Sequence, residues 1–259
     1  MSDPKIMIRV ENLFKSFRSK PVHKGVSLEV QEGEIYTIIG GSGTGKSVLL
    51  KQIVGLIRPD QGEIYVDDKR LTTLSEEELQ DVQKMIGYVF QESALFDSLT
   101  IGENVAFGLR NLSDTKEPKI TEIVREKLAL VGLSGVEKLK PAQLSGGMKK
   151  RVGIARAMAM NPKILLYDEP TTGLDPVMSD VISNLILEVK KHSGSTAIVV
   201  THDMKAAYEI SSRICMLYEG KVLEAGTPSQ IRFSNNPIVQ QFISGSSEGP
   251  IPVPTIDLV

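Results

Sequence analysis

Gly40-Gly41-Ser42-Gly43-Thr44-Gly45-Lys46-Ser47 narrows what this chain can become more than any other stretch. It fits G-x-x-x-x-G-K-[ST], a loop that wraps a phosphate chain. The glycines let the backbone turn tightly and aim successive N–H groups at an anion. A helix opening near Lys46 adds the positive end of its dipole. Lys46 brings a mobile charge for β- and γ-phosphates, and Ser47 a hydroxyl for Mg²⁺. The flanks agree. Ile35-Tyr36-Thr37-Ile38-Ile39 reads as a buried strand, and the run from Val48 to Val54 as a helix with one apolar face. A glycine-rich turn matching by accident would lack both.

Composition sets the outer limits. The chain of 259 residues is 41% hydrophobic and 24% charged, enough for a sizeable core and too apolar for global disorder. That length admits one large α/β domain or a domain with a subdomain. A net charge of −2 leaves no footprint for non-specific nucleic-acid binding, so no nucleic-acid partner is expected. The single cysteine, Cys215, sits in an apolar run and reads as a small buried hydrophobe without a disulfide partner. Met1 to Lys5 lacks the basic-then-apolar plan of a signal peptide, and no apolar run approaches the ~18 residues of a membrane span. A soluble cytosolic protein is expected unless a partner holds it elsewhere.

In chain order, Ile6 to Val10 and Val26 to Val30 read as short strands joined by a polar loop. Phe17, near a strand end, is placed either to stack on a base or to join the core. Glu63 to Val66 and Ile86 to Phe90 are further strands, and the second delivers Gln91 at its carboxyl end, where α/β sheets meet ligands and metals. Ser75, Thr100 and Thr227 open capping boxes. From Thr100 to Leu133 the pattern is helical, broken at 113–119, and an inserted helical subdomain over about 92–145 is expected.

Leu144-Ser145-Gly146-Gly147-Met148 precedes a helix expected from Lys149 to Met160. The run is either a second anion-binding helix start, serving a nucleotide held by another copy, or an N-cap with permissive glycines. The apolar strand Lys163 to Tyr167 ends in Asp168 and Glu169. Buried carboxylates are costly without a cation or a chemical task. Asp168 suits a Mg²⁺ shared with Ser47, Glu169 suits a polariser of attacking water, and a salt bridge is the plain alternative. Asp175-Pro176 starts a helix to about Lys191, and Thr196 to Val200 is a strand. His202 follows that strand's end, as a satisfied structural residue or as a γ-phosphate sensor. Two short strands, Arg213 to Tyr218 and Lys221 to Ala225, flank the turn at Glu219-Gly220. From Ser244 the tail is rich in Ser, Gly and Pro, yet Ile256, Leu258 and Val259 are apolar. It is expected either to be disordered or to pack on a neighbouring subunit.

Together these motifs resemble, over nearly the whole chain and in order, the nucleotide-binding subunits of ABC transporters. The resemblance makes Gly40 to Ser47 the Walker A loop, Gln91 the Q-loop and Leu144 to Met148 the signature. Ile164 to Asp168 is similar to Walker B, with Glu169 as catalytic glutamate; Thr172 to Asp175 resembles the D-loop, His202 the switch histidine and Phe17 the A-loop aromatic. It implies a P-loop NTPase of RecA-like core with an antiparallel β subdomain and a helical insertion, in a domain over 1–243 with a tail at 244–259. It implies ATP and Mg²⁺ as cofactors. ATP would lie on Phe17, Gly40 to Val48 and Gln91, with Ser145, Gly146, Gly147 and Asp175 reaching it from a second subunit. Mg²⁺ would lie on Ser47, Gln91 and Asp168, while Lys46, Glu169 and His202 would act in catalysis.

Two departures narrow the resemblance. Met148 stands where the signature usually ends in glutamine, and Val48 replaces a common hydroxyl after Ser47. Both features, and the Glu248-Gly249-Pro250-Ile251-Pro252 tail, are similar to the ATPases of MCE-type lipid transporters, including the Mla phospholipid system. That implies a homodimer on a membrane permease, an MCE-domain protein and a small cytosolic subunit, at the cytoplasmic face of a bacterial inner membrane, in lipid traffic that keeps the outer membrane asymmetric. An ABC ATPase for another cargo, or a non-transport one such as an iron–sulfur assembly factor, remains the alternative.

Overall fold

Strand β3 (Ile35–Ile39) runs straight into the glycine loop, and every one of its residues is buried. So are those of β7 (Ile164–Asp168) and β8 (Thr196–Thr201). Strands buried on both faces read as continuous apolar runs, and parallel sheets covered by helices demand them. The computed structural model, which describes residues 4–252, assembles a six-stranded sheet in the order β10-β9-β3-β8-β7-β6. Here β6 is Ile86–Val89, β9 Arg213–Tyr218 and β10 Lys221–Gly226. The pairs from β6 to β9 are parallel, and β10 returns antiparallel at the edge. The fold is α/β, of the P-loop NTPase type.

A second sheet of four strands, ordered β2-β1-β4-β5, lies apart from the first: β1 Ile6–Phe17, β2 Lys20–Gln31, β4 Gln61–Val66 and β5 Lys69–Arg70. The sequence reading of two short strands and a polar loop is corrected here. β1 and β2 are 12 residues each and pair out to Phe17 and Lys20. The outer half of this hairpin is mostly exposed, so alternation fades although the ladder continues. Arg18 and Ser19 close it, both with positive φ (45° and 66°), as tight hairpin turns require.

Alternate residues of the main sheet feed two apolar layers. Tyr36, Ile38, Leu166 and Ile198 face the four-stranded sheet and helix α1 (Lys46–Ile53). Leu165, Tyr167, Ala197 and Val199 face the helices of the other side. That side holds α3 (Ile101–Leu112), α4 (Glu117–Leu130), α5 (Gly146–Met158) and α6 (Pro176–Ser193); α2 (Glu76–Lys84) lies beside β6. Val105, Leu109, Val124 and Leu128 bind α3 and α4 to this layer. The boxes at Ser75, Thr100 and Thr227 all form.

α5 begins at Gly146, three residues before the position expected from its apolar pattern, because the Ser145 hydroxyl accepts from Met148 N at 3.3 Å and fixes the start. The chain closes with α7 (Met204–Ile210), α8 (Pro228–Arg232) and α9 (Pro237–Ser244). Beyond α9 the 245–252 stretch folds back on its own domain. The buried Gln241 carboxamide accepts from Ile251 N at 2.6 Å and donates to Ile251 O at 3.2 Å, and Ile251 packs beside Val239. Ile256, Leu258 and Val259, on which the expected neighbour contact rested, lie outside the described residues.

Candidate functional site

Two glycines shape the loop between β3 and α1. Gly40 has φ +151°, and a Cβ there would stand 2.4 Å from Leu217 O. Gly45 is the N-cap of α1 with φ +99°, and its Cβ would stand 2.7 Å from His23 Nε2 and Val22 Cγ1. No side chain caps this helix, so its first amides stay free to bind an anion. Thr44 Oγ1 donates to Gly41 O at 2.9 Å and braces the loop. Lys46 is only 7% exposed, and its ammonium donates to Gly40 O (2.8 Å) and Gly41 O (3.1 Å). It also lies 3.4 Å from Glu169 Oε1.

The acids at the end of β7 are fully engaged. Ser47 Oγ donates to Asp168 Oδ1 at 2.6 Å, and the Tyr88 hydroxyl donates to Oδ2 at 2.9 Å. Burial raises the pKa of Tyr88 well above its usual range, which keeps it a donor. Glu169 has φ +48°, a left-handed backbone that a non-glycine residue adopts at a cost of about 1–3 kcal/mol. The conformation is held by Glu169 N donating to Val200 O at 3.0 Å. It turns the carboxylate out of the sheet, where Oε2 meets His202 Nδ1 (2.8 Å) and accepts from Thr172 Oγ1 (3.1 Å).

These groups surround a cavity of about 590 Å³. Ser42, Gly43 and the 45–48 stretch form one wall, with Gln91, Glu169, Thr172 and His202 opposite. The size suits a drug-sized ligand. Asp168 joins through Ser47. Among the described residues no cluster of His, Cys, Asp and Glu could hold a metal by itself. The hydroxyl–carboxylate pair of Ser47 and Asp168 offers two hard oxygens, which suits Mg²⁺ that takes its other ligands from phosphates and water.

Other residues singled out in the sequence lie elsewhere. Phe17 is 44% exposed at the hairpin's end, paired with Lys20, and Val22 of the returning strand lines the cavity instead. Ser145 and Gly146 are exposed on a separate face; Gly147 is buried against α6, where a Cβ would stand 2.6 Å from Met178 Cε. Asp175 caps α6 by accepting from Val177 N and Met178 N, both at 3.0 Å. Three contributors had no sequence signal of their own, Val22, His23 and Tyr88, while Thr172, the first residue of the stretch that resembles the D-loop, lines the cavity. His23 is buried with Nε2 3.1 Å from Gly45 O, and desolvation lowers its pKa.

A phosphate loop opening a helix, a serine–aspartate pair beside it and a glutamate at the cavity define an ATP-hydrolysing domain. The chain belongs to the ABC transporter family, whose model matches residues 23–172. It is 44% identical over 267 residues to the Arabidopsis thaliana protein TRIGALACTOSYLDIACYLGLYCEROL 3, chloroplastic, covering 96% of this chain and 77% of that one. It is 39% identical to the Haemophilus influenzae intermembrane phospholipid transport system ATP-binding protein MlaF, covering 95% and 93%. A methionine import ATP-binding protein, MetN of Carboxydothermus hydrogenoformans, is 43% identical over 92% of this chain and 72% of its own. Among solved structures, the dimeric ATP-binding cassette MJ0796, in a post-hydrolysis state bound to ADP and Pi, superposes with a TM-score of 0.79 at 34% identity, covering 86% and 99%. No helix among the described residues is long and apolar enough to cross a membrane.

Proposed function

We propose that this chain is the ATP-hydrolysing subunit of a lipid-moving ABC transporter, working as a homodimer beneath a membrane permease at the cytoplasmic face of a bacterial inner membrane. The observation that carries the hydrolytic part is the Glu169 carboxylate, held between Lys46 and His202 at the mouth of the phosphate cavity. In this reading Phe17 stacks on the base and the Gly40 to Val48 loop wraps the phosphates. Lys46 leaves the Gly40 and Gly41 carbonyls for the β- and γ-phosphates when ATP enters. Ser47, Asp168 and Gln91 would hold Mg²⁺, which would supply positive charge to neutralise the terminal phosphates. Glu169 takes a proton from the water attacking the γ-phosphorus, the bond to ADP breaks, and His202 holds the γ-phosphate oxygens.

Ser145, Gly146, Gly147 and Asp175 serve the other copy's nucleotide. The exposure of Ser145, Gly146 and Asp175, none of which lines this copy's cavity, supports this, as does the dimeric form of the superposed cassette. A closed pair holding two ATP and an open pair holding ADP then bind the permease differently, and hydrolysis drives the cycle.

Lipid cargo is supported by the phospholipid-transport relative, matched over 93% of its length, and by Met148 and Val48. The methionine-import relative keeps a second cargo class open. Purification of the complex from native membranes tests the choice. A permease, an MCE-domain protein and a small cytosolic subunit are the expected companions; a permease with a solute-binding protein overturns the lipid reading.

A further inference from the structure

Residues Lys150, Gly153 and Arg156 stand three apart on one side of α5 and all reach the turn that follows β6. Lys150 is 8% exposed, and its ammonium donates to Gln91 O at 2.7 Å and, at 3.4 Å, to Glu169 O. Arg156 spreads its guanidinium over the next two carbonyls, donating to Ser93 O at 2.6 Å and Ala94 O at 2.5 Å. Those two residues are consecutive left-handed positions, with φ of 60° and 44°. Such a pair turns successive carbonyls outward, and a planar fork matches them. Gly153 lets the helix come close: a Cβ there would already touch Ser93 Cβ at 3.5 Å.

Among the described residues neither cation has a carboxylate hydrogen-bonded to it; their hydrogen-bond partners are backbone carbonyls. A buried cation spent on backbone carbonyls fixes a path of the chain, since each charge-assisted bond is stronger than a neutral one and costly to leave unmade.

We infer that Lys150 and Arg156 are positioning residues that make the 91–94 turn move as one body with the helix whose first turn carries Ser145. The inference rests on the proposal that Ser145 meets the nucleotide of a second copy. Gln91 lines this copy's own cavity, and Lys150 also touches the backbone of Glu169. Capture of the partner's triphosphate at Ser145 is thereby felt at Gln91 and at the catalytic carboxylate on the near side. The clamp is a physical link between the two ATP sites.

Hydrogen exchange on the full chain tests it, in the Glu169→Gln background with and without ATP and Mg²⁺. In Glu169→Gln alone, ATP slows exchange both at 145–149 and at 91–94. Lack of slowing at 145–149 removes the two-copy reading itself, whatever Lys150 does. Added Lys150→Met keeps the slowing at 145–149, while the slowing at 91–94 shrinks by about tenfold or more, the loss of one charge-assisted bond. Lys150→Arg restores it. Mere loosening of the turn raises exchange equally with and without ATP and leaves the ATP-dependent difference, so persistence of that difference in Lys150→Met overturns the inference. Should Lys150→Met melt early, Arg156→Met gives the same reading, because it deletes both bonds, to Ser93 O and to Ala94 O.

Discussion

Ser47 Oγ lies 2.6 Å from Asp168 Oδ1 across 121 positions of sequence. The short distance ties the start of α1 to the end of β7, and it collects the two oxygens best placed for Mg²⁺. Asp168→Asn keeps the shape and the bond to Ser47 but removes the charge. Turnover of ATP is expected to fall by at least about a hundredfold, with the Mg²⁺ concentration for half-maximal rate raised. A Mg²⁺ titration of the rate checks both; an unchanged Mg²⁺ midpoint removes Asp168 from the cation.

Glu169→Gln leaves the cavity's size and its bond from Thr172 intact while removing the proton acceptor. Hydrolysis is expected to drop by about a thousandfold, the scale of a lost general base, with ATP still bound. Light scattering should find a dimer that forms with ATP and dissolves with ADP. Ordinary turnover in this variant would take the glutamate out of the mechanism.

His23 is neutral where it is buried, because desolvation depresses its pKa. The unfolded chain therefore takes up the proton more readily, so the neutral imidazole's contribution is whole above about pH 6.5 and declines as pH falls below it. The slope cannot exceed about 1.4 kcal/mol per pH unit for one proton. His23→Leu should flatten the fall in urea midpoint between pH 7.5 and 5.5 relative to the parent chain. Parallel pH profiles would show that His23 carries none of the dependence.

Gln241→Ala deletes both bonds to Ile251 and leaves its backbone groups without partners. A loss of about 1–3 kcal/mol is expected for the local fold-back, so the 246–252 stretch should become open to proteases while the 6–240 core resists. Mass spectrometry of the fragments reads this directly.

Much of the architecture was legible because burial writes itself into the chain. β3, β7 and β8 are apolar throughout, and the loop pattern, the three capping boxes and the proline at the start of α6 mark their own positions. The outer half of the first hairpin was hidden, since a ladder of exposed residues has no alternation to show. Contacts that depend on distant partners were hidden as well. Nothing near Tyr88 reveals that its hydroxyl will meet Asp168, and Val22 reaches the cavity only because β2 passes beside Gly45. The left-handed backbone of Glu169 left no trace either, because it is held by a bond to Val200 O on the neighbouring strand and not by the residue.

The order of strands also says when this machine can first work. β3 enters the sheet between β8 and β9, and Gly40 packs on the carbonyl of Leu217. A ribosome making about 5–20 residues per second delivers that carbonyl roughly 10–35 seconds after Gly40 itself. The nascent phosphate loop gains its β8 neighbour only shortly before β9 and its floor at Leu217, so ATP gains a foothold only after residues far along the chain have been synthesised.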